Sequence, residues 1–162
     1  MKRYALTAVL ISCVMPIAAM SQSAGQVPVP SQFATAHNIF LAAGGAPALG
    51  NRAKLATNMS YDSMYHALET LTQYHLVANP ASSDLAMETS IHVAVGNAGN
   101  QFNSVSLRLV VRDTKTQTLL WILDEPLDGA FREKTFQKNL DDAASHLAQD
   151  LKVLSEGREP QV

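Results

Sequence analysis

From Leu85 to Val95 the chain alternates, and that alternation constrains its fold more than any other feature. Leu85, Met87, Thr89, Ile91, Val93 and Val95 point one way, while Ala86, Glu88, Ser90, His92 and Ala94 point the other. A period of two predicts a strand over Asp84 to Val95 with one packed face and one wet face. Val105 to Arg112 repeats the pattern, and Asp113-Thr114-Lys115-Thr116 supplies a turn. Thr118 to Asp124 returns through Leu119-Leu120-Trp121-Ile122-Leu123, so these two segments make a hairpin.

Two further segments carry the helical period. Tyr61, Met64, Tyr65, Leu68 and Leu71 recur at spacings of three and four, predicting a helix over Tyr61 to Tyr74. Ser60 is its expected N-cap, with Asp62 in the first turn. Phe136, Leu140, Ala143, Leu147, Leu151 and Leu154 draw one stripe along a second helix from Arg132 to Ser155. Two short apolar runs read as strands: Ala36 to Ala43, ended by Gly44-Gly45-Ala46-Pro47, and His75-Leu76-Val77-Ala78, ended by Asn79-Pro80. The segment between Gly44 and Asn58 reads as loop. One-sided helices and a one-sided sheet predict an α+β two-layer sandwich. The sheet is mixed and mostly antiparallel, of about five strands, with two amphipathic helices packed on one face.

The order of elements resembles the domain shared by the curli-secretion lipoprotein and the amino-terminal domain of TolB. The residues carrying the resemblance are Tyr61 to Leu68, His75-Leu76-Val77, Ser83-Asp84-Leu85, the hairpin Val111 to Thr116 with Leu120-Trp121, and Phe136 onward. It also looks like small bacterial envelope proteins of the same type. Such a likeness implies a non-catalytic binding or assembly role. The transport-pore segments of the curli protein have no counterpart in this sequence, so export by this chain is not implied.

The amino terminus points to the same compartment. Lys2 and Arg3 precede an apolar run from Tyr4 to Met15, Pro16 breaks it, and small residues follow through Ala18, Ala19, Ser21 and Ser23. This is the layout of a signal peptide over residues 1–23, and the run is too short for a spanning helix. Leu10-Ile11-Ser12-Cys13 matches a lipobox, but Cys13 comes early and is followed by apolar Val14-Met15-Pro16-Ile17. Ordinary cleavage after Ser21 or Ser23 is therefore expected, giving a periplasmic or secreted protein; lipidation at Cys13 would instead give an outer-membrane lipoprotein. Residues 24–35, with Val27-Pro28-Val29-Pro30, read as an extended linker. One domain spans 36–157, and 158–162 is a tail.

Cleavage would move the formal net charge from -2 to -4 by removing Lys2 and Arg3, and would remove the only cysteine. No disulfide, thiol nucleophile or thiolate ligand is then expected. The scattered lysines and arginines form no basic stripe, so neither nucleic acid nor nucleotide is an expected partner. Gly45-Ala46-Pro47-Ala48-Leu49-Gly50-Asn51-Arg52 has the glycine spacing of a phosphate loop. It lacks the lysine and the hydroxyl residue that hold phosphate and magnesium. Arg52 and Lys54 could attract an anion weakly.

No two of the five histidines, His37, His66, His75, His92 and His146, stand at the helical spacing common in zinc sites. Asp124-Glu125 and Asp141-Asp142 are neighbours in sequence rather than carboxylates facing across a cleft, and no serine sits in a nucleophile elbow. Neither an enzyme nor a cofactor is expected. The candidate contact residues are Glu88 and His92 on the wet strand face, Asn100 in the loop at 96–103, and Trp121 on the hairpin. Trp121 has apolar neighbours on both sides, which predicts a central strand or a partner surface. The reading is an exported accessory or binding module whose partner is an envelope protein or a small ligand. A membrane enters only through lipidation at Cys13. A metal-dependent hydrolase built on His92 and Glu88 is the alternative, and a homo-oligomer paired through an edge strand is a second.

Overall fold

A computed structural model describes residues 28–94, 104–128 and 132–160, without the side chains of residues 47 and 48. The signal segment, Cys13 and Asn100 lie outside the described residues. The elements run α1 (Gln32–Thr35), β1 (Asn38–Gly45), a 3-10 segment (Pro47–Arg52), α2 (Ala53–Glu69), β2 (His75–Leu76), a 3-10 turn (Pro80–Ser82), β3 (Leu85–Ala94), β4 (Ser104–Asp113), β5 (Leu119–Leu127) and α3 (Glu133–Ser155). This is the α+β sandwich that the periodicities predict.

The five strands form one mixed sheet in the order β2-β1-β3-β4-β5. β1 runs parallel to both of its neighbours, whereas β3, β4 and β5 are antiparallel in succession. The crossover through α2 returns the chain parallel to β1 as β2, and the connection through Pro80–Ser82 then carries it to the other side of β1, again parallel, as β3. The helices α2 and α3 pack against each other, with α2 over β1 and β3 and α3 over β5 and β4. Leu85, Met87, Thr89 and Ile91 of β3 and Leu107, Leu109 and Val111 of β4 are buried beneath them. Among the described residues no helix packs on the opposite face of the sheet.

Several boundaries differ from the sequence expectation. α2 begins at Ala53 rather than at Ser60, so the first two turns replace a predicted loop. Ala56 and Met59 extend its buried stripe, and Ser60 and Ser63 are buried within it. Ser60 therefore caps nothing: its hydroxyl donates to the Thr57 carbonyl, one turn back. Gly50, at φ +53° and ψ -122°, makes the sharp kink that separates the 3-10 turns before α2, a conformation that favours glycine. The helix stops at Glu69, yet Leu71 and Tyr74 beyond it remain buried.

Part of the expected linker is folded onto the body. Gln32–Thr35 makes one helical turn, and Phe33 within it is only 1% exposed. The Tyr74 hydroxyl donates to the Phe33 carbonyl at 3.2 Å, tying this turn to the segment between α2 and β2. Asp84 fixes the entry to β1, where its carboxylate accepts from the backbone N–H groups of His37 (3.0 Å) and Asn38 (2.9 Å). Those bonds hold its pKa below the usual carboxylate value, the Asn38 bond foremost.

Candidate functional site

The uncovered sheet face is built by residues in cross-strand register. Phe40, Ala86, Arg112 and Leu119 form one row, and Ala42, Glu88, Val110 and Ile122 form the next. Ser90, Arg108 and Asp124 make a third row, followed by His92, Ser106 and Pro126. The face is banded rather than uniformly polar. Apolar side chains predominate at the hairpin end, with Arg112 and Glu88 set among them, and charged and hydroxyl groups occupy the other.

The polar rows are hydrogen-bonded internally. Arg108 donates to both oxygens of Asp124, at 2.9 and 3.0 Å, and Ser106 donates to Asp124 at 3.2 Å. Asp124 in turn raises the pKa of Arg108, chiefly through that hydrogen bond. A bidentate pair of this kind fixes both side chains in the plane of the face. Glu88 lies over Gly44, where a Cβ would stand 2.5 Å from its Oε1. Glycine at that position leaves room for the carboxylate.

Glu88 and His92 share this face, both exposed. Four residues of strand separate their backbones by roughly 13 Å, with Ser90 between them. Among the described residues no group of three or more histidine, cysteine or acidic side chains is placed to hold a metal ion. Trp121 lies on the other side of the sheet. Its ring meets Phe33 edge-on, with centroids 6.4 Å apart and planes at 85°. The candidate residues are thus divided between two faces.

Trp121 also sits on an edge strand, so of the two alternatives that its apolar neighbours predict, a central strand or a partner surface, the central strand does not hold. The ladder shifts register between Val111 and Arg112, so Trp121 opposes Val111 but Leu119 opposes Arg112. Leu120 is the extra residue, and it packs against the core together with Trp121. Leu119 and Ile122 are left on the open side, 45% and 44% exposed. Pro126 is tolerated in β5 because an edge strand need not pair every N–H.

The adjacent carboxylates Asp124 and Glu125 point to opposite faces. Asp124 pairs with Arg108, whereas Glu125 reaches α3 and is 2.8 Å from His146 Nδ1. Glu125 raises the pKa of His146, first by that hydrogen bond and then by its charge. Asp150, one turn further along α3, is pushed upward by burial and by the charge of Glu125. Asp141 accepts from Ser63 (2.7 Å) and Gln137 (2.8 Å) and joins the two long helices. Nothing in the sequence joins Glu125 to His146 or Ser63 to Asp141, because each contact depends on how the helix layer docks.

The sequence matches no known family profile and no curated protein. The fold, by contrast, resembles solved structures. The PelC dodecamer from Paraburkholderia phytofirmans aligns at 10% identity and a TM-score of 0.47, over 83% of this chain and 94% of that one. A Xanthomonas campestris protein of the DUF330 family aligns at 14% identity and a TM-score of 0.43, over 73% and 84%. A Chlamydia trachomatis protein of no assigned function aligns at 11% identity and a TM-score of 0.47, over 75% and 96%. The likeness is one of fold. No helix among the described residues is long and apolar enough to cross a membrane.

Proposed function

We propose that this chain is an exported accessory module of the bacterial envelope, and that it works by binding through the uncovered sheet face. The observation that carries the reading is the set of apolar side chains Phe40, Val110, Leu119 and Ile122, interspersed with Arg112 and Glu88, on the face that neither long helix covers. Leu119 and Ile122 leave almost half of their surface in water on an edge strand. A monomer gains nothing from that placement, whereas a partner strand or apolar surface would bury both. Arg108, Asp124 and Ser106 give the same face a preordered polar margin, which suits specific contact. The resemblance to the curli and TolB domains, read from sequence, agrees with an assembly role, and the amino-terminal signal layout with the compartment.

A second reading places another copy of the chain on this edge, since β5 offers nine residues of strand for pairing. One experiment addresses both. Immobilised protein is used to capture partners from an envelope extract, and its mass in solution is measured by light scattering. The Leu119→Lys/Ile122→Lys variant serves as control. Capture of a discrete partner that the variant does not retain supports the accessory reading. A larger mass that the variant lacks supports self-association. A monomer that captures nothing overturns both.

A further inference from the structure

The third large exposed apolar side chain, Leu55, lies away from the sheet, 47% exposed at the start of α2. It stands at the mouth of a cavity of about 360 Å³ where the first turns of α2 and α3 approach each other. Ala56 and Met59 are its buried lining, and Leu49 and Phe136 are half-buried beside them. Arg52 and Arg132, the residues immediately before the two helices, also line it, with Glu133 as the one carboxylate. Neither arginine is ion-paired among the described residues.

We propose that this cavity binds a small amphiphile with one apolar chain and one anionic end group, the chain against Met59 and Phe136 and the head between Arg52 and Arg132. Three properties select that chemistry. The volume lies at the low end of small-molecule pockets, roughly 300–1,000 Å³, and is too small for a docked helix. Among the described residues the lining divides into apolar and charged side chains, with no serine, threonine, asparagine, glutamine or tyrosine to recognise a sugar or a base. Two guanidinium groups against one carboxylate leave a local positive excess on a chain whose formal net charge is -2. An anionic head is therefore favoured over a neutral or cationic one. The sheet face plays no part in this site.

Calorimetric titration of the purified protein with alkyl carboxylates, below micelle formation, tests the assignment. One molecule should bind, and affinity should rise about fourfold per added methylene until the cavity is full. Dodecyltrimethylammonium, with the same chain and the opposite charge, should bind at least about tenfold more weakly than dodecanoate. The Arg52→Gln/Arg132→Gln variant should lose about tenfold for dodecanoate while keeping its thermal midpoint, since both side chains are exposed. Leu55→Glu, at the exposed lip, should lose binding in the same way. Stronger binding of dodecyl phosphate would place a phosphate head in the site, whereas stronger binding of dodecanoate would place a carboxylate there. Equal binding of the cationic analogue, full affinity in the double arginine variant, or no binding at all would overturn the proposal. Preference for an apolar peptide with a free carboxyl terminus would overturn it in favour of a protein partner.

Discussion

His146 on α3 lies 2.8 Å from the carboxylate of Glu125 on β5, joining the last helix to the edge of the sheet. The hydrogen bond and the charge of Glu125 raise the histidine pKa above 6.5. A raised folded pKa means that the contribution to stability is complete below pH 6.5 and fades as pH climbs through the folded value. His146 is 64% exposed, so the energy is small and the pKa itself is the better readout. Titration by NMR should place His146 above 6.5. Glu125→Gln should bring it down, and should lower Asp150 as well, because Glu125 pushes Asp150 upward. An unchanged His146 titration in that variant would rule out the pairing.

Thr89 on β3 is fully buried, and its hydroxyl has no hydrogen-bond partner among the described residues. It occupies a position on the packed face where its neighbours Met87 and Ile91 are apolar. Valine has nearly the same shape and no hydroxyl to desolvate. Thr89→Val should therefore stabilise the protein by about 1 kcal/mol. The urea midpoint would move upward with an unchanged slope. A drop in midpoint would mean that the hydroxyl has a partner in solution.

What the sequence reveals here follows the range of the forces involved. β3 is readable because one covered face and one open face impose alternation residue by residue, and Leu85 to Ile91 obey it. The stripe of α3 is readable for the same reason, since Leu140, Leu147, Leu151 and Leu154 are all large. The start of α2 is hidden: the buried contact of its first turn is the small Ala56, Leu55 beside it is largely exposed, and Met59 alone is too little to mark a helical period. The bulge at Leu120 is hidden too, because it exists only in the pairing with Val111 and Arg112. A strict alternation would put Leu120 on the open face with Ile122, yet it packs with Trp121. The cavity between Arg52 and Arg132 lies beyond any local pattern, since its two halves come from opposite ends of the domain.

Asp84 should govern the behaviour of the fold in acid. Its carboxylate accepts from the His37 and Asn38 N–H groups, and this depresses its pKa below 3.8. A depressed folded pKa gives stability that is present above the unfolded value and lost as pH falls through the folded one. Asp84→Ala should cost about 1–2 kcal/mol at pH 7, because two backbone donors at the head of β1 lose their acceptor. Its stability should also fall less steeply than that of the parent below about pH 4. Denaturant midpoints for both proteins between neutral pH and pH 3 would test this. Parallel curves would show that other carboxylates carry the acid response.

Replacing Leu119 and Ile122 separates folding from binding. Both side chains are nearly half exposed on the outer side of β5, and neither belongs to the core. Lysine at these positions should change stability by no more than about 0.5 kcal/mol. A lysine on an edge strand also opposes pairing with another strand, since its charge would have to be desolvated against the incoming backbone. Leu119→Lys and Ile122→Lys should each weaken partner capture or self-association, and the double variant should abolish it with the thermal midpoint nearly unchanged. Trp121→Lys is the contrasting case. Its ring packs on Phe33 at the other face, so that change should unsettle α1 and lower the midpoint by several degrees. If the double lysine variant unfolds while Trp121→Lys does not, the assignment of the two sides of β5 is reversed.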